Sequence, residues 1–232
     1  MALAEESASH WKRARQPQQI EQRRESILEA ASLLLDEGGI DGAGLSAIAR
    51  EAGLSKANLY RYFESREAIL LAILVEEAQD WTRALSERLY HLPATGDIAS
   101  VAQEVASSLG GRDRLCELFS SFASVLERNL STETIAAWKR NLRELYVGLI
   151  PSLCHALPQF SKAQANEFWV MHSLFLIGLW PHTKPSHEAA QVLSRDEFAD
   201  MKMDFLERIR WHSLILLEGL SHMESPRIRP DS

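Results

Sequence analysis

The chain has 232 residues, 46% of them hydrophobic and 25% charged, with a formal net charge of -7, a mixture that excludes wholesale disorder. A polar start (Glu5, Glu6, His10, Lys12, Arg13) and the lack of any apolar run of spanning length argue against a secretion signal and against a membrane segment. Two cysteines without a pairing motif, Cys116 and Cys154, exclude a disulfide scaffold and suit packed thiols in a reducing cytoplasm.

From Ile20 to Glu37, the apolar residues Ile27, Ala30, Ala31, Leu34 and Leu35 recur at three- and four-residue steps, which predicts an amphipathic helix. Gly38 and Gly39 end it, because glycine adopts the left-handed cap conformation at little cost. Leu45, Ile48, Ala49 and Ala52 form a second short stripe closed by Gly53, and Ser55 is a good N-cap for a third. A fourth helix is predicted from near Ser65 to about His91, where Pro93 and Gly96 stop it; Ile69, Leu70, Ile73, Leu74 and Trp81 mark its apolar side.

Five more helices follow, roughly Ile98 to Leu109, Asp113 to Asn129, Thr132 to Ala156, Ala163 to Trp180, and Asp196 to Met223. Pro151 should kink or split the third of these, and the two prolines of Pro181 to Ser186 predict a loop. The expected fold is all-α. Its expected divisions are a flexible arm over 1–17, a first helical domain over 18–64, a larger second helical domain over 65–223, and a flexible tail over 224–232.

The net negative charge taken alone argues against a nucleic-acid partner. Local positive charge is what phosphates need, however, and Lys12, Arg13, Arg15, Arg23, Arg24, Lys56, Arg61 and Arg66 supply it near the start. Between Leu45 and Phe63 the sequence LSAIAREAGLSKANLYRYF has the parts of a helix-turn-helix. Ala49 is small where two helices cross, Gly53 suits the turn, and Ile48, Leu54 and Leu59 hold the second helix on the first. The other side of that second helix carries Lys56, Ala57, Asn58, Tyr60, Arg61 and Tyr62, a surface fit for a major groove.

This pattern resembles the TetR/AcrR family of regulators. The resemblance runs from RRESILEAASLLLDEGG (Arg23 to Gly39) through the turn to YFESREAIL (Tyr62 to Leu70), about the first third of the chain. Paired alanines (Ala30, Ala31), Ile48/Ala49 and Ala52/Gly53 before the turn, Ser55, Leu59/Tyr60, Tyr62/Phe63 and Ser65/Arg66/Glu67 all fall in register. One departure is that Ala43 and Gly44 stand where the family commonly has Ser or Thr capping the second helix. The cap must then come from Gly44 or from backbone and water, and Ser46 is left to take over a phosphate contact.

The resemblance implies a homodimer that binds a double-stranded DNA operator through a helix-turn-helix reading head over 18–64 and answers to a small-molecule effector through a ligand-sensing and dimerisation domain over 65–223. It implies base-edge or groove-facing roles for Lys56, Ala57 and Asn58, phosphate contacts for Tyr60, Tyr62 and Arg66, either role for Arg61, supporting contacts for Ser46 and Ser55, and N-terminal arm or first-helix contacts for Arg13, Arg15 and Arg24. Tyr60 has a second reading as a core residue with its hydroxyl at the surface.

In the remainder, the helix from Ala163 is apolar on nearly every face from Phe168 onward, and the last helix repeats the theme. Such helices need cover on more than one side, which predicts a four-helix dimer interface. Trp169, Ile177, Phe205, Ile209, His212 and Leu216 are its candidates, a monomeric core being the other reading. Trp81, Leu85, Cys116, Phe119, Phe122, Trp138, Phe168, Met171, His172 and Phe175 are candidates to line an effector pocket, and each is also a plausible core residue. The eight histidines are scattered, His182 and His187 share a loop without a partner cysteine, and no catalytic constellation is visible. No metal, cofactor, catalytic residue or membrane partner is expected. The function expected is a transcriptional repressor released from a pseudo-palindromic operator by an apolar or amphipathic ligand. The alternative is a helical ligand-binding or interaction protein that keeps the fold without specific DNA binding.

Overall fold

The computed structural model describes the backbone of residues 2–122 and 126–223, and the side chains of 18–122 and 127–223. The side chains of the expected arm, Arg13 and Arg15 among them, and the expected tail over 224–232 lie outside the described residues. Every regular element among the described residues is a helix: α1 (Ala2–Gly42), α2 (Leu45–Glu51), α3 (Lys56–Leu59), α4 (Arg66–His91), α5 (Ile98–Ser108), α6 (Asp113–Phe122), α7 (Thr132–Ala156), α8 (Lys162–Thr183), α9 (His187–Leu193) and α10 (Phe205–Ser221), with short 3-10 stretches at Leu126–Asn129 and Asp196–Met201. They form two units, one of residues 1–73 with 126–131, the other of 74–125 with 132–232.

In the first unit, α1 is interrupted at the predicted glycine pair, where Gly39 takes φ 60°, a left-handed conformation that glycine tolerates. Its stripe of Ile27, Ala30, Ala31 and Leu35 is buried, and α1 packs on α2 through Ile48 and Ala49. Gly44 caps α2 without a side-chain hydrogen bond, and its carbonyl accepts from Ile48 N at 2.9 Å. The sequence departure at 43–44 is therefore met by backbone alone. Glu64 accepts a hydrogen bond from the Ser131 backbone N–H at 3.0 Å, tying the segment 126–131 to the end of the helix-turn-helix.

The second unit is built on Leu85, Leu89, Val101, Val105, Leu149, Leu153, Phe160, Phe168, Trp169 and Leu217, all buried in one cluster. A capping box of Ser161 and Gln164 starts α8, and Gln164 Nε2 donates to the Leu220 and Met223 carbonyls at 2.7 and 3.1 Å. His172 meets Ser213, and the ring of Trp180 packs edge-on to Phe205 at 4.9 Å. The start of α8 therefore faces the end of α10, and the two helices run antiparallel.

Several boundaries differ from the sequence reading. Pro151 sits inside α7 without splitting it, because both Pro151 and Val147, whose carbonyl loses its donor, are exposed to water. Pro181 is likewise tolerated on an exposed face, so α8 runs through it to Thr183 and the expected loop begins later. The expected helix from Asp196 begins only at Phe205, where Asp204 accepts from Glu207 N at 2.7 Å; Asp196–Met201 is a 3-10 stretch with no buried residue to anchor a longer helix. A short exposed helix, α9, was not foreseen, since it has no buried stripe to leave a period in the sequence.

Candidate nucleic-acid interface and cavity

The reading surface rests on two buried pegs. Leu59 is fully buried and Phe63 nearly so, while Ser55, Lys56, Ala57, Asn58, Tyr60 and Arg61 are all exposed. Ser55 starts the helix by accepting from Asn58 N at 3.2 Å, and Gly53 makes the turn with φ 65°. Helical winding persists beyond α3: Tyr60 N donates to Lys56 O, and Tyr62 and Phe63 N both donate to Leu59 O. One continuous face from Ser55 to Tyr62 is thereby held outward. Tyr60 is 55% exposed, which disfavours its core reading, and Tyr62 is half-buried. Ser46 is exposed in the first turn of α2.

Arg66, an expected phosphate contact, and Arg24, an expected first-helix contact, turn inward instead. Arg66 donates through Nε to the Ala43 carbonyl at 2.7 Å and through its second terminal nitrogen to the Ile40 carbonyl, bracing the turn between α1 and α2. Arg24 donates to the Tyr62 carbonyl at 2.9 Å and lies 4.3 Å over the Phe63 ring. The sequence held a signal for the second case: Arg24 stands three residues before Ile27 and seven before Ala31, on the buried stripe, whereas Arg23 is one step off it and exposed. Arg23, one of the cations that supply local positive charge but are given no contact role by the motif, lines a shallow concavity beside Tyr62 with Gln19 and Gln22.

Arg66→Ala removes charge-assisted bonds worth about 1.5–3 kcal/mol each. Two such bonds on a side chain that is still partly exposed give an expected loss of about 3 kcal/mol from the first unit, with DNA affinity lower but its salt slope unchanged. A phosphate contact would instead flatten the slope of log K against log salt by about one. Thermal melting and a salt titration by fluorescence anisotropy separate the two.

The second unit contains a cavity of about 30 Å³ between α4, α6, α7 and α8. Of the candidates named from the sequence, Trp81, Phe119 and His172 line it, with Thr82, Tyr146, Leu149, Trp169, Ser173 and Leu176. The other candidates are elsewhere. Leu85, Cys116, Phe122, Trp138 and Phe168 are core residues, Phe122 and Trp138 packing ring to ring at 4.9 Å. Met171 faces water, and Phe175 stacks on His212 at 3.8 Å, nearly parallel. Thr82 and Leu145 belong both to the cavity wall and to an outer groove between α4 and α7 rimmed by Arg83, Glu87 and Glu144.

His172 is fully enclosed, and burial first, then the neighbouring His212, pushes its pKa down to about 3. Burial also lowers His212 and raises Tyr146, whose hydroxyl is 2.6 Å from Ser173 Oγ. Burial pushes the Cys116 thiol up to about 12, which keeps it protonated and inert.

The expected dimer face also needs correction. Trp169 is 1% exposed and Ile209 fully buried, so both serve the core of the single chain. Ile177, Phe205, His212 and Leu216 are partly buried. The large apolar groups that face water on this helix pair are Met171 and Leu174 of α8 and Leu206, Trp211 and Ile215 of α10. None of the described helices is long and apolar enough to cross a membrane.

Comparison with known proteins agrees with this architecture. Residues 27–73 match the bacterial regulatory proteins of the tetR family, and residues 75–224 match the tetracyclin repressor-like C-terminal domain. An uncharacterized helix-turn-helix-type transcriptional regulator of Mycobacterium tuberculosis is 34% identical over 179 residues, 72% of this chain and 79% of its own length. The regulator BetI of Pectobacterium carotovorum is 22% identical over 80% of this chain and 93% of its own. A possible TetR family regulator of Streptomyces coelicolor has a similar fold, with a TM-score of 0.58 and 19% identity over 85% of this chain and 98% of its own. A putative transcriptional regulator of Rhodococcus sp. RHA1 also scores 0.58, at 16% identity over 87% of this chain and 95% of its own.

Proposed function

We propose that this chain, which belongs to the TetR family of bacterial transcriptional regulators, acts in the cytoplasm as a homodimeric repressor which a small apolar or amphipathic ligand releases from a pseudo-palindromic operator. The observation that carries the DNA half of this reading is the outward face from Ser55 to Tyr62, fixed from behind by Leu59 and Phe63. A dimer offers two such faces to successive major grooves, which is why the operator should have two related half-sites.

The sensing half rests on the cavity of the second unit. At about 30 Å³ it is far smaller than the roughly 300 Å³ or more that ligand sites commonly enclose. Ligand entry must therefore displace wall residues, and Thr82 and Leu145 are the thin part of the wall. Helix α4 has its first turns in one unit and the rest in the other, so a wall movement at Trp81 and Thr82 acts on the same helix that starts beside the reading head. Coupling of this kind is reciprocal, and operator binding must weaken ligand binding by the factor that ligand weakens operator binding.

Selection of sites from random duplexes, followed by anisotropy at fixed salt, tests the reading. A specific site bound no tighter than random DNA overturns it. Given such a site, Asn58→Ala is expected to lower specific affinity by about 1–3 kcal/mol and to relax preference at one base pair in each half-site. Tyr60→Phe should weaken all duplexes alike, without changing their ranking.

A further inference from the structure

The cavity wall carries indole, hydroxyl, phenol and imidazole groups, and most of them are already paired inside the protein. Trp81 Nε1–H donates to Ser108 Oγ at 2.9 Å, and Thr82 Oγ1–H to the Gln79 carbonyl at 3.1 Å. Ser173 Oγ–H donates to the Val170 carbonyl at 2.8 Å, so the 2.6 Å contact between Tyr146 and Ser173 consumes the tyrosine proton.

Two buried groups remain. Trp169 Nε1 and His172 Nε2 have no partner among the described residues, and both side chains line the cavity while being only 1% exposed. They stand one turn apart on α8, with ring centroids 6.0 Å apart and planes nearly perpendicular. Buried polar groups without partners each cost about 1–3 kcal/mol and are rare in native proteins.

The tautomer of His172 follows from its other side. Among the described residues the only partner of the fully buried Ser213 hydroxyl is His172 Nδ1, at 3.3 Å. If Nδ1 carried the proton, the Ser213 hydroxyl would be left an unsatisfied donor and Nε2 an unsatisfied acceptor. Satisfying both groups requires Ser213 to donate, and the imidazole proton then sits on Nε2. The wall therefore presents two N–H donors and no matching acceptor. No Asp, Glu, Lys or Arg lines the cavity, so neither a cation nor an anion has a counter-charge there.

We infer that the effector is an uncharged, mostly apolar molecule with a carbonyl-type oxygen that accepts hydrogen bonds from Trp169 Nε1–H and His172 Nε2–H. This rests on the reading of the second unit as the ligand sensor and adds the chemical class to it. A carbonyl oxygen has two lone pairs for the two donors and brings no proton needing an acceptor. Trp81, Phe119 and Tyr146 supply aromatic walls for the apolar remainder.

Four small probes of similar size isolate the chemistry: propiophenone, propylbenzene, phenylacetate and phenethylamine, each titrated into the full ¹⁵N-labelled chain without DNA. The Trp169 indole N–H resonance should move downfield with propiophenone, which should bind about tenfold tighter than propylbenzene, the effect of about one hydrogen bond gained. The two charged probes should bind at least about tenfold more weakly than the ketone. Trp169→Phe and His172→Phe should each bring ketone and hydrocarbon within about twofold of one another. Equal binding of ketone and hydrocarbon by the wild-type chain overturns the inference, as does tighter binding of either charged probe or an unmoved Trp169 resonance with all four. The wild-type resonance decides the matter even if a variant fails to fold. Because DNA is absent, these outcomes are independent of operator binding: a chain that binds the ketone yet shows no specific DNA site would refute the regulatory reading and leave the ligand chemistry standing.

Discussion

A chain carrying Leu174→Glu and Ile215→Glu is expected to be a folded monomer that has lost at least about a thousandfold in operator affinity. The two wild-type side chains are 64% and 67% exposed, so replacing them removes little from the core of the single chain. They stand with Met171 and Trp211 on the outer face of the antiparallel α8–α10 pair. A twofold interface repeats each substitution, giving four losses per dimer. Each buried Leu or Ile is worth about 1.5–3 kcal/mol, and each introduced carboxylate adds a desolvation cost of several more. The sum exceeds the roughly 4 kcal/mol that a thousandfold change requires. Light scattering behind size exclusion at about 10 µM reads the assembly state, and anisotropy reads the operator. A dimer of wild-type stability in this variant would move the interface elsewhere. Ile209→Glu is the contrasting control: that residue is fully buried in the single chain, so the variant should unfold rather than merely dissociate.

The second large effect is acid destabilisation through His172. Its folded pKa is about 3 against 6.5 for the free side chain, so the unfolded chain binds a proton that the native chain refuses over that interval. Stability is at full strength above pH 6.5, falls as pH drops below it, and goes on falling until about pH 3. The slope is about 1.4 kcal/mol per pH unit, which amounts to about 2 kcal/mol by pH 5. His212, 5.9 Å away and also lowered by burial, pulls in the same direction. Urea midpoints at pH 7.5 and pH 5 for wild type and His172→Gln isolate the first contribution. The variant should lose less stability than wild type between the two pH values, and an equal loss would mean that His172 takes up its proton in the folded chain.

The helical plan was readable because most helices bury one face. The steps from Ile27 to Leu35 and from Leu45 to Ala52 register as stripes, and Gly53 and Ser55 mark the turn and cap by their own chemistry. The exposure of Lys56, Asn58 and Arg61 followed from the same periodicity. Orientation failed where periodicity carries no information. Helix α8 is apolar all round, so nothing in its sequence says that Trp169 points to the core while Leu174 points to water. Arg66 reads as a surface cation until the fold brings the Ile40 and Ala43 carbonyls to it, 26 and 23 residues away. The partition of aromatic residues between cavity and core is equally a tertiary matter. Phe119 and Phe122 are three positions apart on α6, and only the first reaches the cavity.

The short stretch 126–131 has a practical consequence for anyone recombining such regulators. Since Ser131 donates its backbone proton to Glu64, and the stretch belongs with residues 1–73, the reading head is not encoded as one uninterrupted cassette. A chimera spliced at residue 73 inherits its head from one parent and the clasp on that head from the other. Transplants should therefore exchange both pieces together.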